Sequence, residues 1–385
     1  MCKTFNFRIS TNLVFGENAA LQLGEILRSF GYQKTGIIVD RAIFQHPHVL
    51  KAIESARAAV NDAAILKNES VEPTYDDLEA FRKKIEGKEY DCLVGIGGGS
   101  TLDLAKGTAV LLTNHGSALS YKGFPKLERN PLPVIALPTT AGTGSEATYN
   151  AVFTDSALKK KLGINTVLNF PVKAIVDPVF ALSCPKGVTI SSGCDALVHT
   201  LESYVHKNHT QISRIYSQEA FRLLFNGLSN VLDKPKDLNI RADLALGAYL
   251  AGVALINAGS GPSGAFSYPL GAAYKVPHGY AGAIFIASIT KINMAKGYKD
   301  YGALYDLIEG ADTSLSCGAK QKAFSEKIQE LMNKLDVPRS LSEYGLIDTD
   351  IQFLIDQYDV LRAAIDQNPI EITKDDVRQM MRALA

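Results

Sequence analysis

The chain has 385 residues, 46% hydrophobic and 21% charged, and its forty Lys+Arg balance forty Asp+Glu to a net charge of zero. At roughly 150 residues per domain there is room for two or three domains, with enough apolar residues to fill their cores and to exclude disorder. A neutral chain lacks the basic excess that binds phosphate backbones or anionic membrane surfaces, so neither a nucleic-acid nor a membrane partner is expected.

The five cysteines (Cys2, Cys92, Cys184, Cys194, Cys317) are scattered with no Cys-x-x-Cys pair, which argues against a disulfide framework and for a reducing compartment. The opening segment carries Lys3 and Arg8 without an apolar core, so it does not read as a signal peptide. The longest apolar stretch, Leu244–Ile256, is 13 residues, against the ~20 a membrane span needs, and reads as a buried helix. A cytoplasmic protein is expected.

In chain order, short β-branched runs appear at Thr35–Asp40, Ala63–Leu66, Cys92–Ile96, Val134–Leu137 and Ala174–Asp177. Amphipathic stretches lie between them, such as Tyr75–Lys88 with Leu78, Phe81 and Ile85 at helical spacing. Apolar strands alternating with helices predict a parallel sheet covered on both faces. From Ser191 the pattern turns helical, over Cys194–Tyr204, Ser213–Leu232, Ile240–Ile256 and Ala323–Leu335, with breaks at Gly259–Gly264 and Val276–Gly279. The expected organisation is an α/β domain over 1–184, with a Rossmann-like parallel sheet, and an all-α domain over 185–385. The cleft between them is the default site, since ligands gather at the carboxyl ends of such strands.

Cys92–Ile96 runs into Gly97-Gly98-Gly99-Ser100 and then a helical stretch, Thr101–Thr113. Glycines let a ligand approach the backbone and tolerate positive φ, and free N–H groups at a helix start favour an anion such as a pyrophosphate. A plain tight turn is the other reading. A second small-residue loop, Pro138–Glu146, follows the Val134–Leu137 strand. Asp40 ends the first strand, where a carboxylate can accept from a ribose 2′-hydroxyl and repel a 2′-phosphate; it would serve equally as a helix N-cap.

Asp195 and His199 stand four apart in the predicted helix Ser192–Val205, with Glu202 a turn further on the same face. The pair is either a platform for Zn²⁺ or Fe²⁺ or an ordinary surface ion pair. His278, between Pro277 and Gly279, reads as a loop histidine that could supply a third ligand. His46, His48, His115, His206 and His209 read as surface residues. Tyr149, Phe153, Phe266 and Tyr268 are candidates for an aromatic pocket lining or for core.

Gly97-Gly98-Gly99-Ser100 with Asp103 and Lys106, then Thr140 and Gly142–Glu146, then Asp195, His199 and Glu202, then Pro277-His278-Gly279 follow the order and spacing of a known family. Over roughly residues 8 to 300 the chain resembles the iron-dependent (group III) alcohol dehydrogenases, in the dehydroquinate synthase-like superfamily. The resemblance implies an NAD-binding α/β domain, a helical domain and a divalent metal, Fe²⁺ or Zn²⁺, at which hydride passes between nicotinamide and a small alcohol or its aldehyde or ketone. It assigns Asp40, Gly97, Gly98, Gly99, Ser100, Asp103, Thr139, Thr140, Thr148, Lys161 and Leu182 to the cofactor, and Asp195, His199 and His278 to the metal.

One departure stands out. The family usually has a further ligand histidine 14 residues before His278, where this chain has Gly264. Four residues on, where a histidine often stands near the nicotinamide, it has Tyr268. The resemblance therefore implies three protein ligands rather than four, weaker metal binding, and Tyr268 as proton donor, with His278 the alternative acid. A homodimer or higher homo-oligomer is also implied. Two other functions stay open at this point: a metal- and NAD-dependent cyclising lyase of the dehydroquinate synthase type, and a metal-free reductase or NAD-binding protein.

Overall fold

The structure is a computed structural model that describes residues 4–158 and 160–385. The chain divides into two compact units, Ile9–Pro185 and, separately, the residues up to Arg8 together with Lys186–Ala385.

The first unit contains β1 (Asn12–Phe15), α1 (Leu23–Ser29), β2 (Lys34–Asp40), α2 (Pro47–Arg57), β3 (Asp62–Asn68), α3 (Tyr75–Ile85), β4 (Cys92–Gly97) and α4 (Gly99–Thr113). After these come β5 (Val134–Pro138), β6 (Asn150–Asp155), β7 (Lys160–Asn165) and β8 (Lys173–Val176). Six strands form one parallel sheet in the order β1-β8-β5-β4-β2-β3, while β6 and β7 make a separate antiparallel hairpin. β4 is buried at all of its positions because helices cover both faces. Leu23, Leu27, Val49 and Ile53 of α1 and α2 pack on Ile37, Val94 and Ile135. On the other face Leu78 and Phe81 of α3 and Leu104 and Val110 of α4 pack on Ile38 and Leu93. Burying a side chain of this size contributes about 2 kcal/mol, so the two layers carry the unit.

Strand order reverses between β3 and β4, which flank β2 on opposite sides. The carboxyl ends of β2 and β4 therefore border the switch point, where open α/β sheets bind ligands. Asp40 closes β2 and Gly97 closes β4, one step beyond the paired Val39 and Ile96. The predicted last strand ends at Val176, and Asp177 instead caps the following turn by accepting from Val179 N at 3.0 Å. Asp177 also holds His48 Nε2 at 2.7 Å in the interior, so His48 is not a surface residue.

The second unit is helical: α5 (Lys186–Val205), α6 (Gln211–Val231), α7 (Leu238–Ala258), α8 (Pro262–Tyr274), α9 (His278–Ala295), α10 (Tyr301–Tyr305), α11 (Cys317–Lys334), α12 (Asp348–Ile365) and α13 (Lys374–Ala383). Phe266, Phe285, Leu354 and Met381 join α8, α9, α12 and α13 in one core. α7 is long and apolar enough by composition to cross a membrane, yet it packs against α5 and α6. Residues 4–8, expected with the α/β domain, belong here: Phe7 stacks on Tyr216 and Arg8 N donates to Asn257 Oδ1 at 2.7 Å. His206 is likewise buried rather than on the surface, and burial pushes its pKa down to about 4, so it is neutral.

Two expected breaks are helix starts. Pro262 opens α8, a position where its missing N–H costs nothing, and Pro277 precedes α9, so His278 is the first residue of a helix rather than a loop residue.

Candidate functional site

In the α/β unit the two small-residue loops lie against each other. Thr139 N donates to Gly97 O at 3.0 Å. A Cβ on Gly97 would come within 2.6 Å of Thr101 Cβ and 3.0 Å of Asp40 Cβ, and one on Gly99 within 2.6 Å of Thr143. Gly98 differs: its nearest neighbour would be Thr140 Oγ1 at 3.4 Å, an ordinary contact. None of the three has positive φ, so close approach and not backbone strain is what requires glycine at 97 and 99. Gly98 is the N-cap of α4 with φ −72° and no side-chain cap, which leaves the first amides of that helix facing outward for an anion. Gly98→Ala should therefore fold as wild type and lose dinucleotide affinity at least tenfold, measured by NADH fluorescence titration; unchanged affinity would remove the turn from the cofactor site.

Asp40 accepts from Ala42 N at 2.8 Å through Oδ1, so it is a cap. Oδ2 has no hydrogen-bond partner among the described residues and remains available. Ser100 Oγ donates to Val71 O at 2.5 Å. Asp103 is committed internally: it accepts from Ser145 Oγ at 2.5 Å and Val152 N at 3.0 Å, and pairs with Lys106 at 3.2 Å. Thr140 stands against Gly98, Thr148 is buried, Lys161 on β7 pairs with Glu72 at 3.1 Å, and Leu182 lies in the short 3-10 helix Pro178–Ser183 after β8.

Sequence reasoning gave no role to the group beneath these loops. Lys106 is fully buried and donates to the carbonyls of Ser145, Thr148 and Asn150, tying the second loop to α4. Burial pushes its pKa down, against the pull of Asp103. Glu146, also buried, is pushed up to about 7, chiefly by desolvation, with a backbone hydrogen bond and Lys106 opposing. A carboxyl that binds its proton more tightly in the fold stabilises fully below its unfolded pKa, and that stabilisation is lost as pH rises through about 7. Urea midpoints should therefore fall between about pH 5 and about pH 8, and less so in Glu146→Gln, which cannot ionise. Equal falls in both proteins would clear Glu146 of that role.

In the helical unit Asp195, His199 and His278 converge, with one donor atom from each lying within 4.8 Å of the others. His199 Nε2 is 3.6 Å and His278 Nε2 3.7 Å from the same Asp195 Oδ1. Those separations exceed a hydrogen bond, and His199 Nδ1 is buried with no partner among the described residues. A buried imidazole nitrogen that makes no hydrogen bond calls for another explanation, and two histidines with one carboxylate are the donor set of Fe²⁺ and catalytic Zn²⁺ sites. The residues fit a divalent ion.

Glu202 is not in that cluster. Its carboxylate accepts from Ser260 Oγ at 2.8 Å and from the amides of Gly261 at 2.7 Å, Ser263 at 2.5 Å and Gly264 at 3.2 Å, capping the start of α8. Burial raises its pKa while these hydrogen bonds hold it down. A Cβ on Gly264 would collide with Ser260 Oγ and sit 3.0 Å from Glu202 Oε2, so a side chain there would displace the Ser260 hydroxyl. Tyr268 is 37% exposed and its ring lies 5.2 Å from that of His278, beside the cluster. Phe153 and Phe266 are buried in the cores, and Tyr149 packs edge-on against Phe170.

Comparison with known proteins gives matches along the whole chain. Residues 10–178 match the profile described as iron-containing alcohol dehydrogenase, and residues 189–385 that of its C-terminal domain. The chain is 30% identical over 379 residues to an NAD-dependent methanol dehydrogenase of Bacillus methanolicus, covering 98% of this chain and 99% of that one. It is 30% identical over 362 residues to a 1,3-propanediol dehydrogenase of Klebsiella pneumoniae, covering 91% and 92%. Among solved structures, a 1,3-propanediol oxidoreductase superposes with TM-score 0.93 at 26% identity over 100% of both chains. A sulfoacetaldehyde reductase from Bifidobacterium kashiwanohense in complex with NAD+ superposes with TM-score 0.90 at 26% identity, covering 100% and 99%.

Proposed function

Because the chain belongs to the iron-containing alcohol dehydrogenase family, we propose that it is an NAD-dependent oxidoreductase that interconverts a small alcohol with its aldehyde or ketone. The observation that carries this is the convergence of Asp195, His199 and His278 within 4.8 Å. These three would hold a divalent ion. Such an ion, when bound, polarises the substrate oxygen as a Lewis acid, while the dinucleotide supplies or accepts the hydride. The relatives named above act on methanol and 1,3-propanediol, which supports a small substrate. A cyclising lyase finds no counterpart among them.

The chain's own residues do the rest. Gly97, Gly98 and Gly99 admit a pyrophosphate to the start of α4, and Asp40 Oδ2 accepts from a ribose hydroxyl, which favours NAD over NADP. With His278 Nε2 given to the ion and Nδ1 held by Ser267 Oγ at 3.2 Å, neither nitrogen is left to act as the acid. The proton at the substrate oxygen therefore falls to Tyr268, which is beside the cluster and partly exposed. We further place the enzyme in the cytoplasm as a homo-oligomer without nucleic-acid or membrane partners; the zero net charge supports the absence of the last two. NADH and NADPH oxidation with a panel of small aldehydes and ketones, before and after chelation and Fe²⁺ or Zn²⁺ replacement, tests the reading. Full turnover in metal-free enzyme, or equal use of NADPH, would overturn the corresponding part.

A further inference from the structure

Ser267 lies one residue before Tyr268 on α8, 1% exposed, and its hydroxyl meets two partners. Gly264 O is 2.6 Å away and His278 Nδ1 is 3.2 Å away. A hydroxyl has one proton, and a carbonyl can only accept, so the proton points to Gly264. What Ser267 then presents to His278 is a lone pair. An Nδ1 that meets a lone pair must itself carry a proton, and in neutral imidazole the other nitrogen, Nε2, is left as the donor atom for a cation. That Nε2 is the atom that faces Asp195 Oδ1 at 3.7 Å.

We propose that Ser267 is a positioning residue for the metal centre, holding His278 in the Nδ1–H tautomer with its Nε2 lone pair turned toward Asp195 and His199. The inference rests on the reading of Asp195, His199 and His278 as ligands. The anchor is itself anchored: Gly264 N donates to Glu202, which fixes the first turn of α8 and with it the carbonyl that orients Ser267. The position that offers no side chain to the metal thus contributes its carbonyl to the orientation of a ligand that remains. An ordinary back-bond from a helix serine to the carbonyl three residues before is the plain role for this hydroxyl, and it would leave His278 free to adopt either tautomer.

Titration of the metal-free protein with Zn²⁺ or Co²⁺ separates the two roles. Ser267→Ala should weaken the dissociation constant by about 10- to 100-fold, the usual effect of removing a partner of a ligating histidine. Ser267→Thr, which keeps the hydroxyl, should restore most of it. In a His278→Ala background, Ser267→Ala should change nothing further, because the residue acts only through that ring. An unchanged constant in Ser267→Ala, or an equal loss with His278 already removed, overturns the proposal. Nitrogen-15 spectra of histidine-labelled wild type, with His278 assigned by its alanine variant, need no folded Ser267 variant: a predominant Nδ1–H signal is expected, and Nε2–H overturns it. Wild type that takes up neither ion would sink the ligand reading and this proposal with it. That result is distinct from uptake that Ser267→Ala leaves unchanged.

Discussion

His199→Ala should lower kcat about a thousandfold with NADH and a good aldehyde substrate, since Lewis-acid stabilisation is worth several kcal/mol and each 1.4 kcal/mol is tenfold. The same variant should hold Zn²⁺ or Fe²⁺ far more weakly by elemental analysis after dialysis. Its fold should be intact: the imidazole is half-buried, its Nδ1 has no partner among the described residues, and Asp195 is beyond hydrogen-bond range at 3.6 Å. Removing it should therefore change the thermal midpoint of the metal-free protein little. A variant that keeps wild-type turnover would mean that this cluster is an ion pair with no catalytic part. A variant that instead unfolds would mean that the histidine is a structural core residue.

The second large effect concerns stability. Glu202→Ala would strip one buried acceptor from three amides and a hydroxyl, those of Gly261, Ser263, Gly264 and Ser260. Each buried donor left without a partner costs about 1–3 kcal/mol, and the carboxylate's own burial cost, which is recovered, offsets part of the sum. A net loss of about 3 kcal/mol or more is expected, read as a lower urea midpoint in the metal-free protein. Glu202→Gln should lose less, since one amide oxygen still accepts. If Glu202→Ala matches wild type in the midpoint, α8 does not depend on this cap.

The parts of the fold legible in the sequence are those where burial is uniform. β2, β4, β5 and β8 read as apolar runs because helices cover both faces of the sheet, and α3 was legible from Leu78, Phe81 and Ile85, all buried as their spacing required. β1 was invisible at four residues on the sheet edge, with Phe15 exposed. β6 and β7 pair with each other outside the main sheet, and lysines at 160 and 161 open β7, so neither gives an apolar run. α8 was hidden by its own composition. Gly259, Gly261, Pro262 and Gly264 spell a loop, and the acceptor that caps the start of α8, Glu202, comes from a distant helix.

The site was legible in the same uneven way. Asp195 and His199 announce themselves by spacing along one helix, whereas His278 is a different helix's first residue and is tied to them only by the fold. Glu202 shares their helical face in the sequence, yet its carboxylate turns to the backbone of α8 because that end offers several amides. Lys106 and Glu146 carried no legible role, since nothing in a sequence says that a lysine's three carbonyl partners lie about forty residues away. For Asp40 the cap reading holds through one oxygen, and the other remains available for a ribose hydroxyl.

The placement of residues 4–8 bears on the order in which the chain can assemble during synthesis. The α/β unit is closed once Pro185 has emerged, and domains generally form as units from the N-terminal side. Phe7 and Arg8 emerge before all of it, but their partners, Tyr216 on α6 and Asn257 on α7, are made some two hundred residues later. The segment that precedes the sheet in the chain is thus among the last to find its place. Until α6 and α7 exist, these residues lack the ring and the amide that they pack against, and a chain that begins at Lys186 lacks the Phe7–Tyr216 stack and the Arg8–Asn257 hydrogen bonds.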